Sequence, residues 1–276
     1  MITRIDLNAD MGEGFGPWPM GDDLALLDVV TSANVACGFH AGDPDAMAAT
    51  MARAVARGVG IGAHPGLPDL QGFGRRRMQV SHDEARHLTA YQLGAAQAMA
   101  RLAGGRVGHL KLHGALANMA AEDEALARSC YQGALAVDPE IVLMVIAGTA
   151  QERAARALGA RLACEIFADR AYAETGLLLD RRLPGAVLHD PGEIGARVVA
   201  MLRAGAIITA RGTLLPARID TICLHGDSAQ AVGTARFLRG AIEAAGVAVA
   251  GLSGGVAGQA GGAAPQPAAP SPPRDI

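Results

Sequence analysis

Residues 107–118 read VGHLKLHGALAN, a short apolar run that carries Lys111 near its end and passes into His113 and Asn118. An ammonium inside an apolar run is costly to bury unpaired. Lys111 is therefore expected to meet a carboxylate, Asp10 or Glu165, or an anionic substrate. Runs of the same kind recur along the chain at Ile2–Leu7, Asn34–Cys37, Val59–Ala63, Ile141–Ile146, Leu162–Phe167, Thr221–Leu224 and Val247–Ala250. Several are β-branched and bounded by Gly or polar residues, as buried parallel strands are. Helical patterns separate them at Asp45–Arg57, His82–Leu102, Asp123–Val137, Thr149–Leu158, Gly192–Ala204 and Ala229–Ala245. Ser81 with Glu84 reads as a capping box, Pro44 and Pro191 fit first helical turns, and Gly58, Gly104 and Gly246 fit helix ends. Alternating strands and helices predict a parallel sheet with helical crossovers.

Six of these runs deliver charged or imidazole groups at or near their carboxyl ends. They are Asn8, Asp10 and Glu13 in LNADMGEGFG, His40 and Asp43 in CGFHAGD, and His64 and Asp69 in GAHPGLPDLQGFGRR. Lys111 and His113 follow, then Glu165, Asp169 and Arg170, and finally His225 and Asp227 in ICLHGD. A closed β/α barrel opens all its strand carboxyl ends onto one face, where active sites are built. An open sheet concentrates its site at one switch point. Six polar ends favour the barrel. Residues 168–190 and 205–220 interrupt the rhythm and are expected to form excursions over one rim.

The chain has 276 residues, 50% of them hydrophobic and 18% charged, with a net charge of -3. A near-neutral balance and only 3% aromatics argue against nucleic-acid binding. No uncharged apolar run reaches the ~20 residues of a membrane helix, and the N-terminus lacks a secretory h-region, so a cytoplasmic location without membrane attachment is expected. Cys37, Cys130, Cys164 and Cys223 form no close pairs. They read as buried small hydrophobes, with Cys37 singled out by the nearby His40. Residues 1–252 are expected to fold as the barrel, and 253–276, rich in Gly, Ala and Pro, as a disordered tail.

Of the eight histidines, His82 and His87 belong to a solvated helix face, His109 to the core, and His189 to a helix cap. His40, His64, His113 and His225 each follow a strand and suit acid, base or metal-ligand work. Asp10, His64 and His113 are candidates for a divalent ion, with metal-free acid/base chemistry the competing reading. Arg75-Arg76-Arg77 is either a solvated face or a carboxylate or phosphate receptor. There is no GxxxxGK[ST] P-loop and no GxSxG elbow.

In order, LNADMGEGFG, ANVACGFHAGDP, GAHPGLPDLQGFGRR, KLHGALAN, EIFADRAY and ICLHGD resemble the successive blocks of the LamB/YcsF family, over about residues 2 to 250. The resemblance implies a distorted TIM-like β/α barrel of seven principal parallel strands, of the glycoside hydrolase/deacetylase type. It also implies a hydrolase acting on a cyclic amide, as one component of a bacterial ATP-hydrolysing 5-oxoprolinase. That enzyme opens 5-oxo-L-proline (pyroglutamate) to L-glutamate, uses ATP with Mg2+ as cosubstrate, and contains two further subunits, PxpB and PxpC. For this chemistry Asp10 or Glu13 is the expected base, His64 or His113 the proton carrier to the leaving group, and Lys111 the stabiliser of negative charge. His40, Arg76, Asn118, Glu165, Asp169, Arg170, His225 and Asp227 are the expected substrate-binding residues, with Arg76 or Arg170 on the substrate carboxylate. A metal-dependent deacetylase or hydrolase of a carbohydrate-like substrate, and a non-catalytic substrate-binding subunit, stay open as other readings.

Overall fold

A computed structural model describes residues 2–225 and 230–252. The expected tail, 253–276, and Asp227 lie outside the described residues. In chain order the elements are β1 (Arg4–Met11), α1 (Asp23–Leu27), β2 (Ser32–Ala36), α2 (Pro44–Arg57), β3 (Gly60–His64), α3 (His82–Leu102) and β4 (Val107–Lys111). They continue with α4 (Gly114–Glu122), α5 (Glu124–Val137), β5 (Val142–Ile146), α6 (Ala150–Ala157), β6 (Leu162–Phe167) and α7 (Pro191–Ala204). The last are β7 (Ala206–Ile208), β8 (Leu214–Pro216), β9 (Thr221–Leu224), α8 (Ala231–Ala244) and β10 (Ala248–Val249). Strands β1 to β6 and β9 run parallel in sequence order, and β9 pairs back onto β1, so the sheet closes into a seven-stranded barrel. The expected strand near Val247 is only β10, which adds to β1 at Arg4 and Ile5, before the β9 register begins at Asp6.

The helices start and stop where local chemistry directs. Asp43 accepts from the backbone N–H groups of Asp45 and Ala46 to cap α2, and Gly58 ends it at φ 67°. That left-handed conformation costs glycine little. Ser81 and Glu84 form a reciprocal capping box on α3. Asp190, not His189, caps α7, because its carboxylate accepts from the Glu193 N–H. Asp22 caps α1 by accepting from the Ala25 N–H, whereas α4 begins directly after His113 with no side-chain cap. Residues 205–220, expected as an excursion from the strand–helix rhythm, contain the antiparallel pair β7–β8. Segment 168–190 keeps only isolated bridges, Arg170 with Val187 and Tyr172 with Leu178.

Strand β1 is longer than its apolar run suggests, and Asn8 and Asp10 lie inside it rather than after it. Its residues alternate with period two. Ile5, Leu7, Ala9 and Met11 join the apolar core under the helices. Asp6, Asn8 and Asp10 instead hydrogen-bond to side chains of other barrel strands. TIM-type interiors are usually filled by branched apolar residues. Here the interior is a polar column. At its base Asp6 accepts from Ser32 at 2.7 Å and Thr221 at 2.5 Å. Above it Asn8 donates to Glu165 at 3.0 Å, and Asn34 donates to Asn8 at 2.7 Å. His109 fills the same level, its Nε2 2.8 Å from Asn34 Oδ1. Burial holds its pKa down, to about 3, so it is a neutral core histidine.

Gly62 makes room for His109, since a Cβ there would overlap the imidazole ring. Gly62→Ala is therefore expected to lower stability in urea unfolding by about 2 kcal/mol or more, as overpacked core sites do. Gly94, inside α3 with open space at its Cβ position, gives the matched contrast. Gly94→Ala is expected to raise stability by about 0.5–1 kcal/mol through helix propensity.

Candidate active site

Lys111 ends β4 inside the barrel and is 3% exposed. Its ammonium lies 2.9 Å from Glu165 Oε1 and 3.0 Å from Asp10 Oδ1, so both carboxylates foreseen for it are used at once. It also donates to Cys223 Sγ at 2.9 Å and to Asn8 Oδ1 at 3.3 Å, and lies 5.2 Å from the Phe167 ring centre. Cys223, read from sequence as a packing residue, is thus the cysteine in the site. Cys37 is not; its thiol donates to Val35 O, and burial pushes it up to about 12. Burial opposes the Lys111 charge, but Asp10, Cys223 and Glu165 outweigh it and raise the ammonium well above the ordinary range. Burial also opposes ionisation of Asp10, yet His64 and Lys111 hold its carboxyl well below the usual carboxylate range. Glu165 goes the other way, raised by burial despite Lys111.

The carboxyl ends of β1, β2, β3 and β4, with the Phe73 carbonyl from loop 65–74, supply the next layer. His64 Nδ1 lies 2.8 Å from Lys111 O, and its Nε2 3.3 Å from Asp10 Oδ2. His113 Nδ1 lies 3.0 Å from His64 Nε2, and its Nε2 2.8 Å from Phe73 O. Phe73 has φ 54°, a conformation rare for residues other than glycine, and this turns its carbonyl onto His113. His40 stacks on His113 with centroids 3.6 Å apart and planes within 5°. Glu13 Oε1 lies 3.8 Å from His40 Nε2 and 3.9 Å from His113 Nδ1. Burial pushes the His40 and His113 pKa values well below the ordinary imidazole value. Glu13, His40, His64 and His113 offer ligand atoms within 4.8 Å of one another. Of the trio expected from the sequence, His64 and His113 belong to this cluster and Asp10 does not; Glu13 and His40, which follow β1 and β2, stand in its place.

On the opposite wall, Asp169 presents both carboxylate oxygens 2.9 Å from His225 Nδ1. Burial is outweighed by His225, which keeps the Asp169 carboxyl below its ordinary value. Phe167 stacks near the His225 ring at 5.7 Å. A cavity of about 750 Å³ opens over these groups. Asp10, His64, Arg76, Lys111, His113, Asn118, Arg170 and His225 line it. Glu13, His40, Glu165 and Asp169 do not; each is covered by a neighbour that does, so contact with a ligand falls to His113, Lys111 and His225. Arg76 faces Asp69 in an ion pair, Nε to Oδ1 at 2.9 Å, which occupies the fork foreseen for a substrate carboxylate. Arg170 is buried, donating to Ala186 O at 3.3 Å and Leu179 O at 2.6 Å. Burial lowers it to about 10, still charged at neutrality. Segment 177–182 forms part of the cavity wall, the rim excursion expected of 168–190. Sequence reasoning missed Asn34, Thr221, Phe73 and Gly62. Period-two polarity along β1 and β2 is the signal that exposes Asn34.

Residues 5–256 match the model of the LamB/YcsF family. The chain belongs to the LamB/YcsF family. This LamB/YcsF chain is 64% identical over 248 residues to the 5-oxoprolinase A-subunit of Ruegeria pomeroyi, covering 90% of this chain and 98% of that relative. It is 52% identical over 249 residues to the 5-oxoprolinase A-subunit of Azorhizobium caulinodans, covering 90% and 98%. Among solved structures it superposes on the lactam utilization protein of Thermus thermophilus with a TM-score of 0.84 at 40% identity, covering 90% of this chain and 100% of that one. A putative cellobiose-phosphate cleavage protein of Enterococcus faecalis shares the fold, at a TM-score of 0.52 and 15% identity, covering 91% and 98%. Among the described residues, no helix of this LamB/YcsF chain is long and apolar enough to cross a membrane.

Removing the Lys111 charge raises the proton affinity of both buried carboxylates and so changes the pH dependence. With Lys111 in place, the Asp10 pKa is depressed below its unfolded value of 3.8, so its contribution is present above that value and lost on acidification. In Lys111→Met, Asp10 and Glu165 face each other without their shared cation: Glu165, already raised by burial, rises further, and Asp10 keeps His64 but loses Lys111, so it moves up as well. The native variant then binds more protons than the native parent, so its stability relative to the parent rises as pH falls. The variant is expected to be about 3–5 kcal/mol less stable at pH 8. Its melting temperature should climb between pH 8 and pH 5 relative to that of the parent. A parallel pair of melting curves across that range would contradict the shared-cation account.

Proposed function

We propose that this chain is the component of a cytoplasmic, ATP-hydrolysing 5-oxoprolinase that binds 5-oxo-L-proline and opens its ring to give L-glutamate. In this reading it works with PxpB and PxpC, and ATP with Mg2+ is used by the assembled enzyme. The observation that carries the reading is the Lys111 ammonium, set in a dry bed of carboxylates yet lining a cavity whose wall holds Arg170 and Arg181. A small amide bearing a carboxylate suits such a space. Near-full-length identity to relatives named as the A-subunit of 5-oxoprolinase supports the same reading.

A lactam carbonyl is a poor electrophile because amide resonance stabilises it. Phosphoryl transfer from ATP to the carbonyl oxygen makes its carbon electrophilic. Water adds, losing one proton; the C–N bond breaks and the ring nitrogen gains one, leaving an acyl phosphate. A second water converts that to the glutamate carboxylate and phosphate. Lys111 faces the oxygens on which negative charge grows, a contribution of several kcal/mol in a water-poor site. Arg170 holds the substrate carboxylate.

The base in this reading differs from the Asp10 or Glu13 that the sequence suggests. A carboxylate held as far below its usual range as Asp10 is a weak proton acceptor at neutrality. His225 is the better one. Its Nδ1–H donates to Asp169, which leaves the Nε2 lone pair for water and the ring nitrogen, the geometry of an oriented base. Asp169→Asn and His225→Gln are each expected to slow 5-oxoproline-dependent glutamate release by roughly 10²–10⁴-fold in the reconstituted complex. Thermal melts should stay near those of the parent. Turnover within a few-fold of the parent in both variants would remove His225 from the mechanism, and absence of glutamate release by the intact parent complex would remove the reading itself.

A further inference from the structure

His64 and His113 meet nitrogen to nitrogen, with Nε2 of one 3.0 Å from Nδ1 of the other. The second nitrogen of each ring faces a backbone carbonyl at 2.8 Å, Lys111 O for His64 and Phe73 O for His113. A carbonyl oxygen only accepts hydrogen bonds. When neutral, each ring therefore donates its N–H outward and turns a bare lone pair inward. Two lone pairs at 3.0 Å repel unless a cation stands between them. The rings cross at 89°, with their centroids 4.9 Å apart. Around this ring contact are further acceptors: Asp10 Oδ2, 3.3 Å from His64 Nε2, and Glu13 Oε1, 3.9 Å from His113 Nδ1. A further imidazole, His40, is fully buried, and among the described residues neither of its ring nitrogens has a hydrogen-bond partner.

We propose that His64 Nε2, His113 Nδ1 and Glu13 Oε1 form a binding site for one divalent transition-metal ion. Two neutral imidazoles and a carboxylate suit zinc, cobalt, iron or manganese, whereas magnesium and calcium take all-oxygen sets. Metal-binding histidines characteristically donate their other N–H to a backbone carbonyl or carboxylate, which both rings do here. A tetrahedral ion with ligands at about 2.0 Å separates them by roughly 3.3 Å, close to the observed ring contact. His40 lies parallel to His113 in the stack, so it aims at the same ion only by tilting away from that ring. Three ligands leave a position toward the cavity, which His64 and His113 both line. The site stands on ring geometry and does not depend on the lactam reading.

The test uses the full chain alone, stripped with a chelator and free of 5-oxoproline and partner subunits. Titration with Co2+ at pH 7.5 is expected to give a visible ligand-field band that saturates at one ion per chain and is displaced by Zn2+. The double variant His64→Gln, His113→Gln should bind at least 100-fold more weakly, while His189→Gln, on an exposed position, should bind as the parent does. Nitrogen-15 spectra of the parent serve if the double variant fails to fold: Zn2+ should move the signals of His64 Nε2 and His113 Nδ1. Failure of Co2+, Zn2+ and Mn2+ to bind stoichiometrically would overturn the proposal. So would unmoved ring nitrogens under excess Zn2+, or a single proton held between the two rings at neutral pH.

Discussion

An ammonium enclosed on all sides is untenable without counter-charge, and the interior of this barrel is organised around that constraint. Lys111 draws Asp10 from β1 and Glu165 from β6, two strands that the closed sheet places on either side of β9. Those two carboxylates then fix what surrounds them. Asn8 and Asn34 turn their amide N–H groups to Glu165 and Asp10, and His64 comes to rest against the second oxygen of Asp10. The polarity of the interior is therefore a connected requirement, in which each donor exists to satisfy an acceptor one level away.

Space is allotted as strictly as charge. Gly62 leaves the volume that His109 fills, and glycines 66 and 74 lie against His40 and His113, where any Cβ would crowd the rings. The imidazoles are gripped by backbone on one side and by each other on the other. A ligand that needs fixed ring orientation meets rings whose rotation is already blocked, so little order is lost when it arrives.

Much of the architecture can be read from the order of short apolar runs and amphipathic stretches. Polar carboxyl ends on β2, β3, β4, β6 and β9 fall where Leu162–Phe167 and its counterparts stop, and closure follows from needing them together. Strand β1 resists such reading, because Asp6, Asn8 and Asp10 interrupt hydrophobicity for an interior that is itself polar. Helix α4 begins on a histidine with no cap, so its start leaves no mark in the sequence. The site was legible in residue type and not in role. His40, Glu165 and Asp169 carry the right chemistry, yet only coordinates show that each sits behind the residue a ligand would touch. The positive φ of Phe73 and the pairing of Arg76 with Asp69 are tertiary outcomes that no local pattern encodes.

At the far end of the barrel, Asp6 gathers the hydroxyls of Thr31, Ser32 and Thr221 into one knot, below the level of Asn8. That knot works as a stopper. A small molecule admitted over the arginines has no through-route past it, and must back out by the doorway it used. Arrival and departure then share a single lane, and the speed at which the occupant clears that lane bounds how soon the next can be admitted.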